Sequence, residues 1–170
     1  MSLDIILYDK EPEYYTTEED TTPVINLDDK PDGMLDRDYY KKIFSEVDYV
    51  MEGDIKNDAT EFSRFSIGYF GFKRLREAIA KATNNFHYET NYTEENPFGD
   101  HRLFWEEDDE LFIKFLLHSD SDGSLGSDTI KHLAKVINNL PSEVDDPNWE
   151  EFLDFVNESV KLEDPYWEFM

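Results

Sequence analysis

Apolar positions recur along this chain with two spacings, and the spacing predicts the elements. Residues 4–8, Asp-Ile-Ile-Leu-Tyr, form a short apolar run that reads as a strand. The stretch from Asp9 to Leu35 breaks the pattern. It carries many acids, several prolines and a glycine around one brief apolar piece, Val24-Ile25-Asn26-Leu27. It reads as an irregular acidic segment that holds at most a second short strand pairing with the first. From Asp36 to Met51 the period changes to three or four, with Tyr39, Tyr40, Ile43, Phe44, Val47 and Val50 on a helical repeat and Gly53 as a stop. Residues 58–67 fit either a helical turn or a short extended piece, because Phe62, Phe65 and Ile67 satisfy both.

The second half is more regular. Tyr69 to Thr83 predicts a helix with Phe72, Leu75, Ile79 and Ala82 on one face, and Asn84 and Asn85 can end it. Residues 86–104 are polar and aromatic around Pro97 and Gly99, and read as a long loop. A helix is predicted over Glu106 to His118, with acids crowding its first turn where the dipole is positive. A turn over His118–Gly126 leads to a helix over Thr129–Asn139, capped by Ser127 or Asp128 and ended by Pro141. Asp146-Pro147 opens a last helix running to about residue 162, with Trp149, Phe152, Leu153, Phe155, Val156 and Val160 as its apolar positions. The tail from Pro165 to Met170 is aromatic and is expected to dock on the core. The expected fold is therefore mainly α: one domain over 1–170, about five helices, and a short N-terminal strand or hairpin.

Charge changes the picture. Forty-one acids face sixteen bases over 170 residues, a formal net charge of −25. Solubility needs a magnitude of only about 2–8 in a small domain. Such self-repulsion opposes the compact state, so a partner that uses the field, or a salt-adapted host, is the expected reason for it. Aromatic content of 15% argues for a folded chain nonetheless. The acids concentrate at the ends: residues 1–35 hold ten acids and two lysines, and residues 141–170 hold ten acids and one lysine. The predicted helix at 69–83 is the basic island, with Lys73, Arg74, Arg76 and Lys81 against Glu77. Those four bases are expected to compensate acids of the same fold. Glu143, Asp145, Asp146, Glu150, Glu151 and Asp154 are the candidate partner-binding carboxylates. A surface of this sign repels nucleic acid and anionic membranes and attracts basic proteins, nucleic-acid-binding proteins among them.

The chain has no cysteine, which excludes disulfides and thiolate metal sites. Residues 1–9 lack a basic n-region and hold only a four-residue apolar run, so they do not read as a signal peptide. No apolar stretch approaches the ~20 residues of a membrane span. The expected location is cytoplasmic.

One turn invites a metal reading. In His118-Ser-Asp120-Ser-Asp122-Gly123-Ser-Leu125, placing Gly123 at position six of a calcium loop puts Asp120 at three, Asp122 at five and Leu125 at the apolar eighth. The same register puts His118 where the first Asp belongs and Thr129 where the bidentate Glu belongs, so two strong ligands are missing. The alternatives are a weak cation site built on His118, Asp120 and Asp122, with metal binding or catalysis following from it, and a polar glycine turn whose side chains satisfy the backbone. Gly68-Tyr-Phe-Gly71 lacks the third glycine of a dinucleotide loop, and no nucleophile elbow or phosphate loop is present. No cofactor is expected, and the expected character is non-enzymatic.

Two segments carry a resemblance. Gly68-Tyr69-Phe70-Gly71-Phe72-Lys73-Arg74-Leu75-Arg76-Glu77-Ala78-Ile79-Ala80 resembles a Tyr-x-Gly-Phe-x-x-x-Arg-x-x-Ile/Leu-Ala helix start. The His118–Gly123 turn followed by Ile130-Lys-His-Leu-Ala-Lys135 resembles a Ser-Asp-Cys/Asn-Glu/Asp-Gly turn leading into a Leu-Ala-Lys helix. Together, in this order, they resemble a family of small uncharacterised bacterial and phage proteins. The match covers about a third of the chain and departs at Ser121, where that pattern often has Cys. The resemblance implies a shared fold and a cytoplasmic origin, and it implies no activity. A phage relationship fits an acidic interaction or regulatory protein whose sharpest form is a nucleic-acid mimic of the anti-restriction or anti-CRISPR kind.

Overall fold

Leu3, Ile5 and Leu7 share one face of the first seven-residue strand and are fully buried, and Ile6 and Tyr8 on its other face are buried as well, so this strand is the spine of a sheet. A computed structural model describes residues 2–83, 86–91, 100–105 and 109–170, with side chains described for 2–83 and 109–170. Contacts divide the chain into two compact units, residues 1–11 with 60–170, and Pro12–Ala59.

In the larger unit, β1 (Ser2–Tyr8) pairs antiparallel with β2 (Glu61–Gly68) on one side and with β6 (Tyr166–Phe169) on the other, and β6 pairs with β5 (Gly123–Leu125). The order is β2-β1-β6-β5. The register stacks the apolar residues in rows: Leu3 opposite Ile67, Phe65–Ile5–Phe169, and Leu7–Trp167–Leu125. Four helices, α2 (Tyr69–Ala82), α3 (Glu110–Leu116), α4 (Ser127–Ile137) and α5 (Trp149–Ser159), supply the rest of the same buried cluster through Phe72, Leu75, Ile79, Phe112, Phe115, Ile130, Leu133, Phe152 and Phe155. Among the described residues, β3 (Phe86–Asn91) and β4 (Asp100–Trp105) pair only with each other.

The expectation of a mainly α fold is overturned. The fold is α+β, built on a four-stranded antiparallel sheet. The strands escaped the periodicity for physical reasons. β5 and β6 are three and four residues long, too short to show a period. In β2 the register slips between Leu7–Ser63 and Tyr8–Glu61, so Phe62 is a bulge residue that breaks the alternation. The aromatic tail does reach the core, as an inner strand. Residues 86–104, read as a loop, contain β3 and β4; residues 92–99 lie outside the described residues. Val24–Leu27 forms no strand, and a 3-10 turn follows at Leu27–Asp29.

Helix starts shift as well. Asp109 caps α3 by accepting from the Phe112 N–H at 3.1 Å, so the helix begins at Glu110, and the predicted start at 106–108 lies outside the described residues, as does the stop at 84–85. Gly126, not Ser127 or Asp128, is the N-cap of α4. Asp146 accepts from the Asn148 N–H at 2.8 Å one turn ahead of α5. No helix among the described residues is long and apolar enough to cross a membrane.

The smaller unit is mostly irregular. Its one α-helix is α1 (Asp36–Glu46), which stops short of the expected Met51, and residues 13–21 run beside residues 50–56. Tyr15 N–H donates to the Asp54 carbonyl, Thr21 N–H to the Val50 carbonyl, and Tyr14 bridges Ile55.

Candidate functional sites

α5 carries the densest of the candidate carboxylates. Phe152, Phe155, Val156 and Ser159 face the core, which forces Glu150, Glu151, Asp154 and Glu158 to the outside, all exposed. Glu150, Asp154 and Glu158 lie at i, i+4 and i+8, one above another on a single stripe. No base lies in the last turn. Glu150, Glu151 and Asp154 were legible as candidates. Glu158 was missed, and its signal was its position four residues beyond Asp154.

Glu143, Asp145 and Asp146 sit apart from that stripe, in the connection ahead of α5. With Ser142 and Pro147 they form one wall of a groove of about 500 Å³, and Arg74, Glu77 and Lys81 of α2 stand on the other. Two of the four predicted compensating bases are thus brought to the predicted acids. Lys73 is exposed.

Arg76 does something different. It is 7% exposed and leaves α2 toward the end of α3. Its Nη1 donates to the carbonyls of Leu116 (2.9 Å) and His118, its Nη2 donates to the Asp120 carboxylate, and its guanidinium lies 4.5 Å from the Phe72 ring centroid. Burial lowers the Arg76 pKa from its ordinary value, while Asp120 and Glu77 oppose that shift. Nε is buried without a hydrogen-bond partner.

These bonds decide what the His118–Asp122 turn can do. Asp120 answers Arg76. Asp122 accepts from the Ser119 hydroxyl at 2.6 Å and the Ser121 hydroxyl at 3.1 Å, hydrogen bonds that lower its pKa. The His118 ring stacks on Phe169 with centroids 3.8 Å apart, with Nδ1 2.9 Å from the Ser119 carbonyl oxygen and Nε2 3.3 Å from that of Ser124. The three predicted ligands therefore point to three different partners. No group of three metal-ligating side chains occurs among the described residues. His132, from α4, lies with its Nε2 2.5 Å from the Asp109 carboxylate. His87 and His101 lie among residues whose side chains are not described.

No family model, curated protein or solved structure matches this chain.

Proposed function

We propose that this chain is a non-enzymatic interaction protein that engages a basic, nucleic-acid-binding partner through its carboxylates, in the manner of a nucleic-acid mimic. The observation that carries the reading is the α5 stripe. Four exposed carboxylates over eight residue steps span about 12 Å of helix axis, at about 1.5 Å per residue. Along the stripe Glu150, Asp154 and Glu158 follow one another at about 6 Å, and with Glu151 beside Glu150 the helix carries four charges over that length, a dense row in the manner of a DNA strand with its ~3.4 Å per charge. Like charges at i, i+4 destabilise a helix by about 0.2–0.5 kcal/mol per pair. An arrangement that lowers stability without serving the core fits selection for a partner. The buried Phe152 and Phe155 hold the stripe rigid, so little ordering entropy opposes docking.

Affinity capture from the source organism's lysate, at low and high salt, tests this. The wild-type chain should retain a nucleic-acid-binding protein at low salt, release it at high salt, and release it to added duplex DNA. A variant with Glu150→Gln, Glu151→Gln, Asp154→Asn and Glu158→Gln should lose it. Equal capture by the variant, or no competition by DNA, would overturn the reading.

A further inference from the structure

The smaller unit is under-buried in a way the larger one is not. Nine of the thirteen exposed large apolar side chains among the described residues lie in its 48 positions, among them Val24 at 97% exposure, and its only buried large side chain is Tyr39. A unit of that size that buries so little cannot offset its ordering entropy from its own core. Exposed apolar side chains that fall together on one helix face mark an interaction surface.

Two features say what would cover it. The first is a stripe on α1: Tyr40, Ile43 and Phe44 fall at i, i+3 and i+4, half-buried or exposed, with the exposed, extended Val47 just past the helix end and Phe44 held edge-on against Tyr49 at 4.9 Å between centroids. Such a stripe is complementary to an apolar helix face. The second is a groove of about 650 Å³ lined by Tyr14, Tyr15, Glu18 and Glu52. Aromatic rings beside carboxylates suit a cation on an aliphatic stem. The unit already uses that mode once: Lys56 ion-pairs with Glu19 and places its ammonium 5.7 Å from the Tyr15 ring centroid. The field agrees, since residues 12–59 hold fourteen acids and five bases.

We propose that residues 12–59 are the docking surface for a basic amphipathic helix of a partner, whose apolar face covers the α1 stripe while a Lys or Arg enters the Tyr14–Glu52 groove. The inference rests on the reading that the acids serve a basic partner, and it adds where and by what chemistry a segment of that partner binds.

The test is a titration of the isotope-labelled full chain with a synthetic amphipathic Lys/Leu helical peptide, followed by NMR, with a Glu/Leu peptide as control. Saturable shifts are expected within residues 12–59 for the Lys/Leu peptide alone. Val47→Asp and Glu18→Gln/Glu52→Gln should each weaken binding about tenfold, a loss near 1.4 kcal/mol. All three positions are exposed, so these variants keep the fold. Shifts confined to the Glu150–Glu158 stripe would overturn the inference and leave the acidic-partner reading standing. No binding of the Lys/Leu peptide at low salt, or equal binding of the Glu/Leu peptide, would overturn both.

Discussion

Arg76 Nη1 donates to the Leu116 carbonyl at 2.9 Å across 40 residues of sequence. The bond ties α2 to the last residue of α3, whose carbonyl has no partner within the helix. The same guanidinium takes the His118 carbonyl and the Asp120 carboxylate, so one side chain fixes both the end of a helix and the start of the next turn.

Arg76→Met is expected to destabilise the fold by about 3 kcal/mol, because buried carbonyls lose their donor and Asp120 loses its counter-charge. Asp120→Asn should cost less, about 1–2 kcal/mol, since Arg76 keeps its carbonyl acceptors and the Asp120 side chain is 37% exposed. Urea denaturation of both variants checks the order. A larger loss for Asp120→Asn would mean that the charge pair, and not the carbonyl bonds, dominates.

Gly123 is required where it stands. Its φ is +104°, and a Cβ there would come within 3.2 Å of the His118 ring. Gly123→Ala should therefore lower stability by about 1–3 kcal/mol through backbone strain and displacement of His118 from Phe169. Gly126→Ala, with open space and no positive φ, is the control and should cost less, its loss coming only from the α4 N-cap, where Gly is preferred to Ala. The His118 ring shift in NMR reports the displacement directly.

How much of this was legible depends on range. α2 was read almost to the residue, because Phe72, Leu75 and Ile79 repeat at helical spacing against a single core and nothing distant competes. Arg76 was assigned a compensating role, and it does pair with an acid. Its burial, and its choice of carbonyls 40 residues on, carry no local signal. β6 was invisible for the same reason: Trp167 is a strand residue only because Leu7 and Leu125 flank it. The His118–Asp122 turn is the opposite case. Its spacing resembles a cation loop, but the partners that occupy Asp120 and His118 come from α2 and β6.

Asp109 and His132 set an acid limb. Burial raises the Asp109 pKa, and hydrogen bonds from His132 and from the Phe112 N–H more than offset that, leaving it below its ordinary value. A carboxyl with a depressed folded pKa stabilises above its unfolded value of about 3.9, and that contribution is lost as pH falls through the folded value. Asp109→Asn should therefore flatten the loss of stability below about pH 4 while the α3 cap is kept, since Asn caps a helix about as well as Asp. Thermal unfolding of both proteins between pH 2 and 7 checks this; parallel curves would count against it.

The α5 stripe predicts a separation of stability from binding. Replacing Asp154 and Glu158 by their amides relieves two i, i+4 repulsions and leaves Glu150 in the first turn, where the helix dipole favours it, so the variant should be more stable than wild type by about 0.4–1 kcal/mol at low salt. The gain should fade in high salt as the repulsion is screened. A variant less stable than wild type would assign these carboxylates a structural role. Urea midpoints at two ionic strengths are sufficient.

Trp167 is the residue on which the sheet turns. It is fully buried in β6, between Leu7 of β1 and Leu125 of β5, with its ring 5.1 Å from that of Phe155. Its indole N–H donates to the Ser159 hydroxyl at 2.9 Å, and that hydroxyl donates to the Phe155 carbonyl at 2.8 Å. Trp167→Ala should cost about 3–5 kcal/mol from the cavity alone. Loss of the β6 register would also release Phe169 from under His118. Ser159→Ala leaves the ring in place and orphans only the buried indole donor, a cost of about 1–3 kcal/mol. Denaturation followed by circular dichroism should rank Trp167→Ala well below Ser159→Ala, and both below wild type. If Ser159→Ala proves neutral, the hydroxyl is dispensable and packing alone seats the tail.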